Sequence, residues 1–262
     1  MTAAVRFDGE GSSIAVATAY GPRIVGLFVD GRNLFAELSD DETLAGPHGR
    51  PYHLRGGHRL WIAPEVPEIT YQPDDDPCSL SRLGDGIHVE GPPDGAGFSK
   101  AITITGTPDG WLVDHTITNH GRTGARVAPW AISQFRPGGR MTLALELPSA
   151  GLQANRAVAW WPYTDPADPR IRIGTDAVEI EARQGAALKI GVVGTSGWAR
   201  YGLATAAVTV RTSVDPLASY PDLGAAIQAY VCDRFCEVET LGPLRVVAPG
   251  GSITHREEWI VS

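Results

Sequence analysis

Two glutamates, Glu237 and Glu239, stand two residues apart in the stretch Phe235-Cys236-Glu237-Val238-Glu239-Thr240-Leu241. In an extended strand that spacing puts both carboxylates on one face, roughly 7 Å apart at Cα, together with Phe235 and Leu241. A carboxylate held between apolar neighbours and beside a second carboxylate has its pKa raised toward the range in which a general base works. The alternative is that both side chains lie on a solvated strand face. Far upstream, Gly56-Gly57-His58-Arg59-Leu60-Trp61 offers a histidine able to deliver a proton near neutral pH and an arginine whose guanidinium can bind hydroxyl oxygens. The two glycines would let a ligand come close to the backbone. For His58 a loop histidine bonded to backbone is the competing reading, and for Arg23 a structural ion pair is expected.

Trp61, Trp130, Trp160, Trp161, Tyr163, Trp198 and Tyr201 form an aromatic set of the kind on which sugar C–H faces stack, with an N–H or O–H at the ring edge. Taken singly, each reads first as core. Trp160 and Trp161 are adjacent, so in a strand one faces inward and the other outward. Lys189, between Leu188 and Ile190, faces away from their buried side and would bind an anionic substrate group or pair with an acid. Asp165, Asp168 and Arg170 read as turn chemistry, since Asp before Pro initiates turns.

These residues need a scaffold. Short runs rich in Val, Ile, Thr and aromatics recur between Gly, Pro, Asn and Asp clusters, and helical periodicity is scarce, which predicts strands throughout. Ile14–Thr18, Arg23–Val29 and Asn33–Glu37 form an expected meander. Ala101–Gly106 and Trp111–Asn119 form a hairpin around Thr107-Pro108-Asp109-Gly110. A second hairpin is expected between Ala177–Ala182 and Ala187–Val193, and late strands at Arg234–Leu241 and Ser252–Val261. A short helix is expected at Pro221–Gln228, and long loops at Ser39–Leu54 and Val66–Asp85. With no repeat and no dividing linker, residues 1–262 are expected to form one domain.

Composition narrows the function. The formal charge is −8 and no window is crowded with Lys or Arg, so a nucleic-acid partner is not expected. The opening residues lack a basic and apolar leader pattern, and no long apolar run occurs; no membrane association and a cytoplasmic location are the expectation. Cys78, Cys232 and Cys236 lack a second Cys/His pair that would complete a zinc site, so no metal is expected and reduced thiols are. Gly194-Thr195-Ser196-Gly197 lacks nucleophile-elbow spacing, and no Gly-rich phosphate loop precedes a helix, so no cofactor is expected.

Several segments, in order and across nearly the whole chain, resemble the galactose mutarotase (aldose 1-epimerase) superfamily, and in particular a poorly characterised branch with a mutarotase-like sandwich. They include Gly21-Pro22-Arg23-Ile24, Gly56-Gly57-His58-Arg59-Leu60-Trp61 with Ala63-Pro64-Glu65, Ala128-Pro129-Trp130-Ala131-Ile132-Ser133-Gln134, Trp160-Trp161-Pro162-Tyr163-Thr164-Asp165, Lys189-Ile190-Gly191, and Phe235 to Pro243. The resemblance implies an all-β, single-domain antiparallel supersandwich of the galactose-mutarotase-like type, binding a saccharide on its concave face. It implies a late-strand glutamate as base, which falls on Glu239 in Val238-Glu239-Thr240, with Glu237 tuning it. A mutarotase carries its acid histidine near Trp130–Gln134, where this chain has Gln134, an amide that orients a hydroxyl but delivers no proton. His58 is then the acid candidate by position, and Arg59, Trp61, Trp130, Gln134, Trp161, Tyr163 and Lys189 are the expected substrate-binding residues. The function expected is that of an aldose 1-epimerase-like acid/base enzyme acting on a sugar or sugar-derived molecule. The alternatives are a non-catalytic sugar-binding module, or a repurposed lyase or cyclase of specialised metabolism.

Overall fold

A computed structural model describes residues 4–147 and 149–262. Its strands alternate side chains between their two faces, and two large antiparallel sheets bury one face of each against the other. The first sheet contains, in spatial order, the strands Ala4–Asp8, Ser13–Ala17, Arg23–Val29, Gly57–Ala63, Ala125–Phe135, Cys236–Leu241, Ile227–Val231, Leu188–Val193 and Ala157–Trp160. The second is centred on Ser252–Val261, which pairs Gly110–Asn119 on one side and Ala207–Arg211 on the other. Ile24, Leu27, Ile190 and Val238 from the first sheet meet Ile102, Val113, Val208 and Trp259 from the second in one core cluster.

Of the expected meander, Ser13–Ala17 pairs with Arg23–Val29, while the third strand is cut short to Arg32–Asn33 with isolated bridges at Phe35 and Glu37; the expected hairpin is present, its strands running Phe98–Thr107 and Gly110–Asn119. The second hairpin is not. Ala177–Glu181 pairs with Arg140–Ala144 in the second sheet, whereas Leu188–Val193 pairs with Ile227–Val231 in the first, so the Arg183–Ala186 turn is a corner between sheets. Alternation alone cannot tell these apart, because both strands bury one face in the same core.

The expected helix at Pro221–Gln228 is also absent. Only Asp222–Gly224 forms a 3₁₀ turn, with Asp222 and Leu223 at positive φ, and a strand begins at Ile227. The stretch read as loop at 66–85 instead holds a one-turn helix, Pro67–Thr70, and a strand, Ser79–Leu83. The stretch at 39–54 holds a small hairpin of Thr43–Ala45 with Pro51–His53. The hairpin and the one-turn helix lie against the outer face of the first sheet, where Tyr52, Leu54 and Tyr71 cover Trp61 and Trp130, whereas Ser79–Leu83 is the edge strand of the second sheet. No helix among the described residues is long and apolar enough to cross a membrane.

Candidate active site

The outer face of the first sheet carries Arg59, Gln134, Lys189, Glu237 and Glu239 among the polar residues that the sequence singled out, and strand register decides which of them meet. One cross-strand row runs Arg23, Arg59, Ile132, Glu239, Gln228 and Gly191. The next runs Gln134, Glu237, Tyr230 and Lys189. A third sets Trp61 opposite Trp130 and Trp130 opposite Leu241. Two strands far apart in sequence, Gly57–Ala63 and Cys236–Leu241, therefore supply Arg59, Glu237 and Glu239 to one face, and a third, Leu188–Val193, brings in Lys189.

Glu239 is fully buried. Its Oε2 accepts hydrogen bonds from Trp130 Nε1 and from Lys189 Nζ, both at 2.7 Å. Burial pushes its carboxyl up to about 7; the Lys189 ammonium opposes that rise and the Glu237 charge adds to it. Lys189 Nζ also lies over the rings of Trp130 at 4.5 Å and Trp161 at 4.8 Å. Glu237 Oε1 accepts from Arg59 Nη2 at 3.0 Å, and the Arg59 guanidinium rests on Trp61 at 4.2 Å. Tyr163, half-exposed, lies close to these groups: burial, and then the charge of Glu239, raise its hydroxyl pKa, with Tyr230, Glu65 and Glu237 contributing less. Tyr71, bonded to Glu65, closes the Arg59 side.

Several buried polar atoms on this one face lack a hydrogen-bond partner: Glu239 Oε1, Gln228 Oε1, both amide atoms of Gln134, and Arg59 Nε and Nη1. Buried polar groups are normally paired, and each unmet one costs about 1–3 kcal/mol. Concentrated on neighbouring strands, they offer acceptors over Glu239 and Gln228, donors over Arg59, and both at Gln134. A polyhydroxylated ring, whose hydroxyls donate and accept, matches such a set.

His58 is not part of it. Because His58 and Arg59 are consecutive in a strand, they point to opposite faces, and His58 lies between the two sheets. Its Nδ1 is 2.9 Å from Ser133 Oγ and its Nε2 2.7 Å from His115 Nε2. His115 Nδ1 donates to the His255 carbonyl at 3.0 Å, which leaves its Nε2 as an acceptor and makes His58 the donor of the bond between them. Burial first, then the neighbouring His115 and Arg59, hold the His58 pKa well below its usual value. The acid role expected of His58 at the same ring as Glu239 is therefore corrected: a sheet separates the two groups. Glu257, 4.0 Å from His58, completes this inner cluster, its carboxyl pushed up to about 7 by burial against hydrogen bonds from Thr240 and Trp259 that favour the charge.

The reading of Gly56 and Gly57 also changes. Both have positive φ, and a Cβ would meet Ala36 O at 1.9 Å and Ile24 O at 2.3 Å respectively, so the glycines admit a neighbouring backbone and not a ligand. Arg23 behaves as expected, with Asp74 at 2.8 Å and carbonyls of Leu54 and Gly56 as acceptors. Trp160 packs toward the core while Trp161 faces Lys189, and Arg170 is tied to Asp168 within its turn. Gln228 and Tyr230 were missed. The signal was the alternation of Ile227–Val231, masked by reading Pro221–Gln228 as helical.

The arrangement is thus a two-sheet antiparallel sandwich with a polar, aromatic-walled cluster on the outer face of one sheet. Solved structures place that architecture. The chain is similar over its full length to a candidate aldose 1-epimerase from Escherichia coli K12, at 16% identity and a TM-score of 0.61, covering 99% of that chain. It is similar to a galactose mutarotase-like protein from Lactobacillus casei ATCC 334, at 10% identity and a TM-score of 0.64, over 99% of this chain and 100% of that one. A galactose mutarotase-like protein from Clostridium acetobutylicum matches at 10% identity and a TM-score of 0.53, over 100% and 95% of the two chains. The fold is therefore galactose-mutarotase-like. No protein-family profile matches the chain, and no curated protein matches it in sequence.

Proposed function

We propose that the protein is a carbohydrate-active acid/base enzyme resembling aldose 1-epimerase, binding a cyclic sugar on the outer face of the first sheet with Glu239 as general base. One observation carries the reading: a buried carboxylate near neutral pKa, one oxygen anchored by Trp130 and Lys189 and the other unpartnered, amid donors and acceptors that a sugar's hydroxyls would satisfy. A base of that pKa is half ionised at neutral pH and matched to a hydroxyl proton in flight. Glu237 and Arg59 hold each other and present the arginine's remaining N–H groups to the ring. Trp61, Trp130 and Trp161 supply ring surface, and Gln134 supplies an amide. Since Glu239 is fully covered, entry of a sugar requires the half-exposed Tyr163 side chain to turn aside.

The test is a panel of free aldoses, including D-glucose and D-galactose, titrated against tryptophan fluorescence. Quenching by at least one sugar, weakened tenfold or more in Arg59→Met because hydrogen bonds to a charged group are lost, is the expected result. No response to any aldose would refute the binding reading. A non-catalytic sugar-binding module is favoured by one observation, that Gln134 stands where the resemblance calls for an acid histidine; a sugar that binds and equilibrates no faster than in buffer would establish that reading instead.

A further inference from the structure

Ring opening needs an acid as well as a base, and His58, His115 and His255 all point into the core between the sheets. Gln134 has no proton to give. An arginine side chain does not release its proton to a substrate, and the Tyr163 hydroxyl is made a weaker acid by burial and by the surrounding carboxylates. Resting on the epimerase reading above, we propose that Lys189 and Glu239 form one bifunctional proton-transfer pair, in which Lys189 protonates the sugar ring oxygen while Glu239 Oε1 takes the anomeric hydroxyl proton.

The geometry suits this. The ring oxygen and the anomeric oxygen are bonded to the same carbon, so the donor and acceptor that serve them must be near neighbours, and Lys189 Nζ lies 2.7 Å from the Glu239 carboxylate. Only one of the three ammonium N–H groups is needed for that bond. Nζ also lies over the faces of Trp130 and Trp161, which hold a cation without accepting its proton. The Lys189 backbone is itself fixed, its N–H donating to Thr164 Oγ1 at 2.8 Å and its carbonyl accepting from the same hydroxyl at 2.9 Å.

The step balances within the pair and the sugar. Glu239 Oε1 accepts the anomeric hydroxyl proton, and that O–H electron pair forms the aldehyde C=O as the bond from C1 to the ring oxygen breaks. The released pair on the ring oxygen takes a proton from Lys189. After rotation about C1–C2 the two transfers reverse and the ring closes with the opposite anomeric configuration. If the open chain departs instead, the protonated Glu239 returns its proton to the neutral Lys189 amine through their 2.7 Å hydrogen bond, restoring the charged pair without solvent.

The experiment measures anomer exchange of D-glucose and D-galactose by NMR for wild type, Lys189→Met and Lys189→Arg, with melting temperatures for each. Lys189→Met is expected to lower kcat about 10²–10⁴-fold, as for loss of a general acid, with KM changed much less, and added methylammonium is expected to restore part of the rate. Lys189→Arg keeps the positive charge beside Glu239 but cannot release a proton, so it is expected to remain as slow as Lys189→Met. Full activity in Lys189→Arg, or undiminished kcat in Lys189→Met, would overturn the assignment while leaving the epimerase reading intact. A loss that no amine restores and that tracks a fall in melting temperature would mark Lys189 as scaffold only and also overturn it. A wild-type protein that accelerates neither sugar refutes the epimerase reading, and the inference falls with it.

Discussion

Replacing Trp130 with Phe tests the electrostatics of the site without any substrate. The phenyl ring can keep the surface that Trp130 presents to Lys189 Nζ at 4.5 Å and to Trp61 at 5.3 Å between ring centroids. What disappears is the indole N–H that donates to Glu239 Oε2 at 2.7 Å. A hydrogen bond to a charged group contributes about 1.5–3 kcal/mol, and one pKa unit corresponds to about 1.4 kcal/mol. Losing a donor that favours the carboxylate should therefore raise the Glu239 pKa by roughly one to two units. From its value of about 7, the midpoint should move to about 8–9. Carboxyl-labelled glutamate followed by ¹³C NMR across pH gives the midpoint directly, with Glu239→Gln supplying the assignment. A wild-type midpoint in the usual carboxylate range, or a Trp130→Phe midpoint that does not rise, would refute the reasoning from burial and hydrogen bonding.

Buried His58, His115 and His255 have pKa values held below 6.5, with His115 near 4 and His255 near 3, so the unfolded chain binds more protons there and their stability contribution is lost as pH falls from 6.5 toward 3. Glu239 and Glu257, raised from 4.5 to about 7, act oppositely between those values; three histidines against two glutamates leave about one net proton, so urea melts should show stability rising by about 1.4 kcal/mol per pH unit through the middle of the range from pH 4.5 to 6.5 and lost more steeply below it, and a flat or falling stability from pH 4.5 to 6.5 would contradict the assignment. Gly57→Ala places a Cβ 2.3 Å from the Ile24 carbonyl at a positive φ, so it should destabilise by about 3 kcal/mol or more through strain and displaced backbone; a urea midpoint matching wild type would refute that packing. Tyr163→Ala should speed sugar association in stopped-flow fluorescence, because the half-exposed side chain near Glu239 is gone; an unchanged rate would show that access lies elsewhere. His58→Gln should lower stability by about 1–3 kcal/mol through a broken buried hydrogen bond while leaving the pH dependence of anomer exchange as in wild type; a changed profile would return His58 to the chemistry.

Much of the site was legible because a strand's period of two is rigid. The spacing of Glu237 and Glu239 placed both carboxylates on one face, and Lys189 between Leu188 and Ile190 could only point away from the core. The same rule, applied to His58 and Arg59, shows why they cannot share a site: consecutive strand residues diverge, and with no strand expected over Gly56 to Trp61 the rule was not applied there. Pairing was harder to read. Ala177–Glu181 and Leu188–Val193 look like a hairpin from their alternation, yet they belong to different sheets, because sequence proximity does not report whether a turn closes a ladder or rounds a corner. Register is a tertiary fact too, so the opposition of Glu239 with Gln228, and the bond from Trp130 to Glu239 across 109 positions of chain, had no local signature.

The central claim is that the cluster around Glu239 interconverts sugar anomers, and exchange spectroscopy of the anomeric protons, recorded at neutral pH with wild type and Glu239→Gln on a sugar that quenches the tryptophans, tests it most directly. Wild type should produce exchange cross-peaks between α and β anomers that buffer alone does not, and Glu239→Gln, folded and still binding, should lose about 10²–10⁴ of that rate. A wild-type protein that binds the sugar and leaves its anomers exchanging at the buffer rate, or a Glu239→Gln variant as fast as wild type, would contradict the account.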